Sequence, residues 1–209
     1  VPTIVYSENW NVDLGAPDSS VAAARVTSPV YEGAGALRIN PTAGVGYWSK
    51  NTPGADPNVI VYLIYARFDD FPAADLFKVL DVTADGVSNS GLGYDVSSNQ
   101  FGTWDGTSAL SVGGPTLSLN TWYRLDLRVN MSANPWVVDA KVNGTDLPQE
   151  TLAFAASTVA NYRLGSNSET DTWDLFFDYW FVSYTSSDYP ISFETVTFQP
   201  AHVASPLRW

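Results

Sequence analysis

The residues of this chain best suited to chemistry are its carboxylates. Asp174 and Asp178 share the segment "TDTWDLFFDYWFVSY" (residues 170–184), Asp69 and Asp70 are adjacent, and Glu8 lies near the N-terminus. A glycosidase needs two such acids about 5–5.5 Å apart when it retains configuration and about 6.5–9.5 Å apart when it inverts. Along an extended strand, residues 174 and 178 share a face but stand roughly 13 Å apart, too far for either geometry. Asp69 and Asp70 would point to opposite faces of a strand, and we expect them instead in a turn before Phe71-Pro72. His202 is the single histidine and there is no cysteine. That removes histidine-cluster zinc sites, thiol nucleophiles and any credible Ser-His-Asp arrangement, and no glycine-rich loop of the G-x-x-x-x-G-K-[ST] kind is present. Lyases acting on uronates need clustered Arg, Lys, His and Tyr, which one histidine in a proline-rich tail does not supply. The expectation is a protein that is not an enzyme.

Binding needs less. Sugar rings stack on exposed aromatics with polar groups at their rims. Two stretches carry that combination: "VGYWSKN", with Tyr47, Trp48 and Lys50, and "GYDVSSNQFGTWDG", with Tyr94, Asp95, Asn99, Gln100, Trp104 and Asp105. The same aromatics would serve equally as core or as caps of a β-sandwich.

These residues sit in strands and tight turns. In "TWYRLDLRVNM", Tyr123, Leu125, Leu127, Val129 and Met131 face one way and Arg124, Asp126, Arg128 and Asn130 the other, the period of a half-buried antiparallel strand. In "PWVVDAKVNGTDL", Trp136, Val138, Ala140 and Val142 form the inner face, and Asn143-Gly144 suits a type I′ hairpin turn. "NVIVYLIYARFDDF" is apolar on both faces, as a central strand covered on each side should be. The segment "LAFAASTVANYRL" is the single candidate for a turn of helix. About a dozen short strands result, too many for one open sheet, so the expected fold is all-β: a two-sheet antiparallel jelly-roll sandwich. We expect it to span residues 1–190, followed by an extended arm at 191–209, "ISFETVTFQPAHVASPLRW", lying on this sheet or on a neighbour's. The segment "TDTWDLFFDYWFVSY" should be a closing strand in which Trp173, Leu175, Phe177, Tyr179 and Phe181 alternate with Asp174, Phe176, Asp178, Trp180 and Val182. Phe176 and Trp180 would then need a cover on the second face.

The 209 residues are enough for one sizeable core. Acids outnumber bases 22 to 10, giving a net charge of −12, which opposes a phosphate backbone; nucleic acid is not an expected partner. No apolar run reaches membrane-spanning length, so no membrane partner is expected either.

Four stretches taken together, "YSENW" (6–10), "GAGALRI" (33–39), "NTWYRLDLRVNMSANPWVVDAKVNGT" (120–145) and "DLFFDYWFVSYTSSDYP" (174–190), resemble the concanavalin A-like lectin/glucanase superfamily. The likeness is to laminin G-like modules of bacterial exoproteins and phage structural proteins. Such modules often end on Asp-Asp where this chain has Asp178-Tyr179. The resemblance implies a structural calcium clamped between first and last strands, for which Glu8 and Asp178 are the matching acids. Two acids are few against the 6–8 oxygens calcium takes, and Asp178 paired with an arginine such as Arg38 is the other arrangement open to it. The resemblance also implies a structural or adhesive module at the exterior of a phage-like virion, a decoration or tail-associated protein. Its partners would be a virion shell or tail protein, copies of itself and a polysaccharide. The alternative is a secreted, extracellular carbohydrate-binding module of a polysaccharide-degrading enzyme.

Overall fold

The computed structural model describes residues 2–13, 15, 17–42, 44–52, 57–73, 76–84, 89–104, 110–166 and 171–192. Its strands are β1 (Ile4–Glu8), β2 (Ser19–Val21), β3 (Ala23–Val26), β4 (Ala36–Ile39), β5 (Gly46–Asn51), β6 (Val59–Asp70), β7 (Leu76–Ala84), β8 (Asn89–Asp95), β9 (Gln100–Trp104) and β10 (Leu110–Thr116). They continue with β11 (Tyr123–Asn130), β12 (Trp136–Val142), β13 (Thr145–Asp146), β14 (Glu150–Leu152), β15 (Val159–Ser166) and β16 (Asp174–Ser183). Every pairing is antiparallel. One sheet runs β13-β12-β11-β6-β16-β4-β3, with β1 added to β16 and β14 to β12; the second runs β10-β9-β8-β7-β15-β5-β2. The two inner faces enclose a single large core. The fold is the expected two-sheet antiparallel sandwich.

The patterned strands behave as their alternation requires. On β11, Tyr123, Leu125, Leu127 and Val129 enter the core, and on β12 Trp136, Val138, Ala140 and Val142 do the same. Asn143 and Gly144 adopt φ of 50° and 83° and close the β12–β13 hairpin, with Val142 opposite Thr145. β6 lies between β11 and β16 and buries both faces: Ile60, Tyr62, Ile64, Ala66 and Phe68 inward, Val61 and Leu63 outward.

Three expectations change. Asp69 and Asp70 belong to the end of β6 and not to a turn, and Asp69 is held there by the Arg67 guanidinium at 2.6 Å. The segment at 153–158 carries no helix: Phe154 N–H turns back to the Leu152 carbonyl, Ser157 N–H donates across the fold to that of Met131, and Val159, the first residue of β15, donates to that of Pro57. Among the described residues the one helical element is a short 3-10 turn, Ser186–Asp188.

The third change concerns β16. Its register against β6 places Asp178 opposite Tyr65 and Phe181 opposite Leu63, so three steps on β16 match two on β6. Tyr179, at φ 52°, is the extra residue of a β-bulge. Strict alternation from Phe177 would have sent Tyr179 and Phe181 inward. The bulge reverses the phase, so Trp180 and Val182 join Leu175 and Phe177 in the core while Phe181 turns outward. Trp180 thereby becomes the centre of an aromatic cluster, with ring centroids 5.2 Å from Tyr6, 5.1 Å from Trp48 and 5.4 Å from Tyr162. Phe176, still on the outer face, is covered by the Arg38 guanidinium at 5.5 Å.

The bulge also sits where β16 changes partner on its other edge, from β4 at residues 175–177 to β1 at 180–183. Beyond it, Phe181 packs with Val59, Val61, Leu63 and Ile191 in a small outer cluster. Ile191 is fully buried there and its carbonyl accepts Arg124 Nη2 at 2.6 Å. The chain leaving the sandwich thus begins by lying across this sheet's outer face; the rest of the expected arm, 193–209 with His202, falls outside the described residues.

Candidate functional site

The residues singled out for sugar binding are dispersed. Trp48 is wholly buried against Trp180, and Tyr94 lies in the core, stacked on Phe71 at 5.0 Å with its hydroxyl donating to Asn99 Oδ1 at 2.8 Å. Neither offers a face to a ligand. Asn99 takes φ 55° in the β8–β9 turn and bonds the Leu117 carbonyl, while Gln100 bonds that of Gly114. Asp95 accepts the Ser97 hydroxyl and the Ser98 hydroxyl and amide, and these bonds hold its carboxyl below the usual range. These three are turn residues by geometry. Asp105 lies outside the described residues.

The proposed calcium ligands are both turned on backbone amides. Glu8 Oε1 accepts the N–H of Asn9 and Trp10, fixing the loop after β1. Asp178 is buried at the bulge and accepts the N–H of Tyr31, Glu32 and Tyr179 at 2.8–3.1 Å. Burial nevertheless outweighs these bonds and raises its carboxyl to about 6. Its role is to stitch the Tyr31–Glu32 loop into the gap between β4 and β1. No group of three or more His, Cys, Asp or Glu that could hold a metal gathers among the described residues. Arg38 does not pair with Asp178; it grips Asp174 through Nε and Nη2 at 2.9 and 2.6 Å. Alternation along β16 puts 174 and 178 on one face, but only Asp174 reaches the arginine on β4.

Tyr47 and Trp104, in contrast, both lie on the outer side of the second sheet, with Trp104 itself buried, 3% exposed, beneath Lys78. Residues paired directly across strands share a face, so the registers define it. One rung reads Ser19, Ser49, Arg163, Asp81, Gly91, Trp104, Leu110 from β2 to β10. The adjacent rung reads Asn51, Asn161, Thr83, Asn89. Glycine at 91 is needed for packing, since a Cβ there would stand 2.0 Å from the Leu80 carbonyl oxygen.

The electrostatics of this face centre on Asp81. It is fully buried yet on the outward side, and Arg163 Nη1 donates to its Oδ2 at 2.8 Å. Burial raises its carboxyl, opposed by Lys78 and Arg163. Arg163 lies over the Tyr47 ring at 5.1 Å and Lys78 over the Trp104 ring at 4.1 Å. Several polar atoms around them are buried without a hydrogen-bond partner: Asp81 Oδ1, Asn89 Oδ1, Asn161 Oδ1, Arg163 Nε and Trp104 Nε1. Buried polar atoms are overwhelmingly paired in folded proteins, and each exception marks strain or an absent partner. Here three acceptors and two donors fall on adjacent positions of one face. Of this set only Trp104 stands in a stretch the sequence marks; Asp81, Asn89, Asn161 and Arg163 lie in no motif and meet through strand register.

No protein-family model matches the chain, and a search of curated proteins finds no match. Solved structures do resemble it. Cellulose induced protein, Cip1, superposes with a TM-score of 0.60 at 11% identity, over 86% of this chain and 97% of that one. An alginate lyase in complex with alginate tetrasaccharide does so with 0.52 at 12% identity, over 85% and 95%. A Trypanosoma rangeli sialidase in complex with sialic acid gives 0.56 at 15% identity, over 83% of this chain and 30% of the sialidase. At these identities the likeness establishes the fold alone: an all-β antiparallel sandwich of jelly-roll type.

Proposed function

We propose that this chain is a non-catalytic carbohydrate-binding sandwich module that holds a saccharide on the outer face of its second sheet. The observation that carries the reading is the set of unpaired buried polar atoms of Asp81, Asn89, Asn161, Arg163 and Trp104 beside the Tyr47 and Trp104 rings. The likeness to structures solved with alginate tetrasaccharide and sialic acid supports the ligand class. The absence of catalysis is supported by the state of the acids: Asp174 is held by Arg38, Asp69 by Arg67, and Asp178 by three amides. The test is affinity electrophoresis in gels cast with cellulose derivatives, alginate or sialylated glycoprotein. Asn161→Ala and Asn89→Ala should lose retardation while keeping the wild-type melting temperature. Retention of the mobility shift in both variants overturns the site.

We place the module at the exterior of a phage-like particle, as an adhesive or decoration component, on the strength of the sequence resemblance. Light scattering on full-length chain and on a truncation after residue 192, which keeps the buried Ile191, tests the assembly part; a monomer in both refutes it. The alternative, a secreted module serving a polysaccharide-degrading enzyme, is favoured by the likeness to Cip1 and to an alginate lyase, and predicts retention on a polysaccharide column as a free monomer.

A further inference from the structure

The first sheet has a cavity of its own, on the side of the sandwich facing away from the second sheet. A cleft of about 560 Å³ opens there, lined by Tyr31, Tyr65, Trp122, Arg124, Asp126 and Lys141, with Asn143 and Gly144 of the hairpin turn and Pro190 also on its wall. Its volume falls within the range of small-molecule sites. Tyr31, which is 42% exposed, stacks on Tyr65 with ring centroids 3.7 Å apart and planes 17° from parallel. Trp122 stands edge-on to Tyr31 at 6.0 Å. The cleft therefore has a rigid aromatic wall. The Tyr31 loop is pinned by Asp178, which accepts the Tyr31 and Glu32 amides.

The floor is polar and fixed. Asp126 is 1% exposed although it lies on the outward side of β11, and Arg124 holds both of its oxygens, Nε to Oδ2 at 2.9 Å and Nη2 to Oδ1 at 2.8 Å. Arg124 is locked in turn by the Ile191 carbonyl. Lys141 donates to Asp146, whose side chain is 77% exposed, and its charge also acts on Asp126; the exposed pair leaves the ammonium able to exchange partners. A flat aromatic wall beside a guanidinium held in place by a buried carboxylate, and an ammonium, is complementary to a pyranose ring: an apolar face to stack and donors for its hydroxyl oxygens.

We propose that this cleft is a second saccharide site, so that one chain holds two sugar segments on opposite faces. The proposal rests on the carbohydrate-binding reading but not on the second-sheet site. The experiment uses a fluorophore the structure supplies. Trp10, Trp48, Trp104, Trp136, Trp173 and Trp180 are each at most 3% exposed, whereas Trp122 is half-buried in the cleft wall. In full-length chain carrying Trp209→Phe, acrylamide quenching is therefore dominated by Trp122. The probes are cellotetraose, alginate tetrasaccharide and sialyllactose.

One of these probes should at least halve the quenching constant, in the parent and in Asn161→Ala alike, and the protection should vanish in Tyr31→Ala and weaken at least threefold in Lys141→Gln. Titration calorimetry should give two sites in the parent and one in either Tyr31→Ala or Asn161→Ala. Wild-type melting temperatures in Tyr31→Ala and Lys141→Gln exclude misfolding as the cause. If no probe protects Trp122, or if protection is lost in Asn161→Ala and kept in Tyr31→Ala, the cleft is not a saccharide site. Protection that persists in an Asn161→Ala variant with unchanged total binding supports the cleft and removes the second-sheet site instead.

Discussion

Replacing Arg163 with methionine tests the electrostatics at the centre of the second sheet. Asp81 is fully buried, and its one hydrogen-bonded oxygen is held by Arg163 at 2.8 Å. Methionine preserves much of the side-chain volume over Tyr47 but leaves the carboxylate with only the more distant Lys78 charge. Removing one partner of a buried pair costs about 3–5 kcal/mol, because the survivor keeps its desolvation penalty without the Coulombic return. For a chain of this length each kcal/mol moves Tm by about 2–4 °C, so Arg163→Met should melt roughly 6–20 °C below wild type at pH 7. Lys141→Met opens a pair whose acid is 77% exposed and should stay within about 1 kcal/mol. The penalty has a pH signature. Burial already raises the Asp81 carboxyl, and loss of Arg163 raises it further, so the folded variant binds a proton more readily than the unfolded chain does. Stability present at acid pH is then lost as pH rises through the raised folded value, and Arg163→Met should recover toward wild type as pH is lowered. The double variant Asp81→Asn with Arg163→Met should lose less than the single one. Differential scanning calorimetry across pH 4–8 reads all of this. A loss under about 1 kcal/mol at pH 7, or one equally large at acid pH, refutes the argument.

Four further outcomes follow from other sites. Asp178, raised from 3.8 to about 6 by burial, makes the folded state bind the proton more tightly, so stability should fall as pH rises from about 4 to 6, by at most about 3 kcal/mol; Asp178→Asn should flatten that slope in pH-dependent urea denaturation. Trp104→Ala should act mainly on stability, by about 3–5 kcal/mol, since the ring is only 3% exposed; unchanged melting would contradict that packing. Gly35→Ala should destabilise strongly, because its Cβ would stand 2.2 Å from the Trp10 carbonyl oxygen; a wild-type melting curve would refute the close approach. Chelator should leave Tm unchanged, since Glu8 and Asp178 are turned on amides; a drop of several degrees that calcium reverses would restore the ion to the account.

The sequence alone determined the class of the fold. Period-two alternation in β11 and β12, the two-sided apolar run of β6 and the Asn143-Gly144 turn each depend on neighbours in the chain. Only the tertiary structure decided where Trp180 points, because one inserted residue at Tyr179 reverses the phase of everything after it, and no alternation rule announces a bulge. It also decided the partner of Asp178, since a carboxylate can be satisfied by an arginine, an ion or three amides, and the loop at Tyr31–Glu32 arrives from 146 or more residues away. The candidate sites were hidden for the same reason. Asp81 and Arg163 on one face, and Tyr31, Tyr65 and Trp122 on the other, are separated along the chain and meet only through strand register and loop packing. Spacing in sequence carries information about a site only when the site lies within one element, and neither of these does.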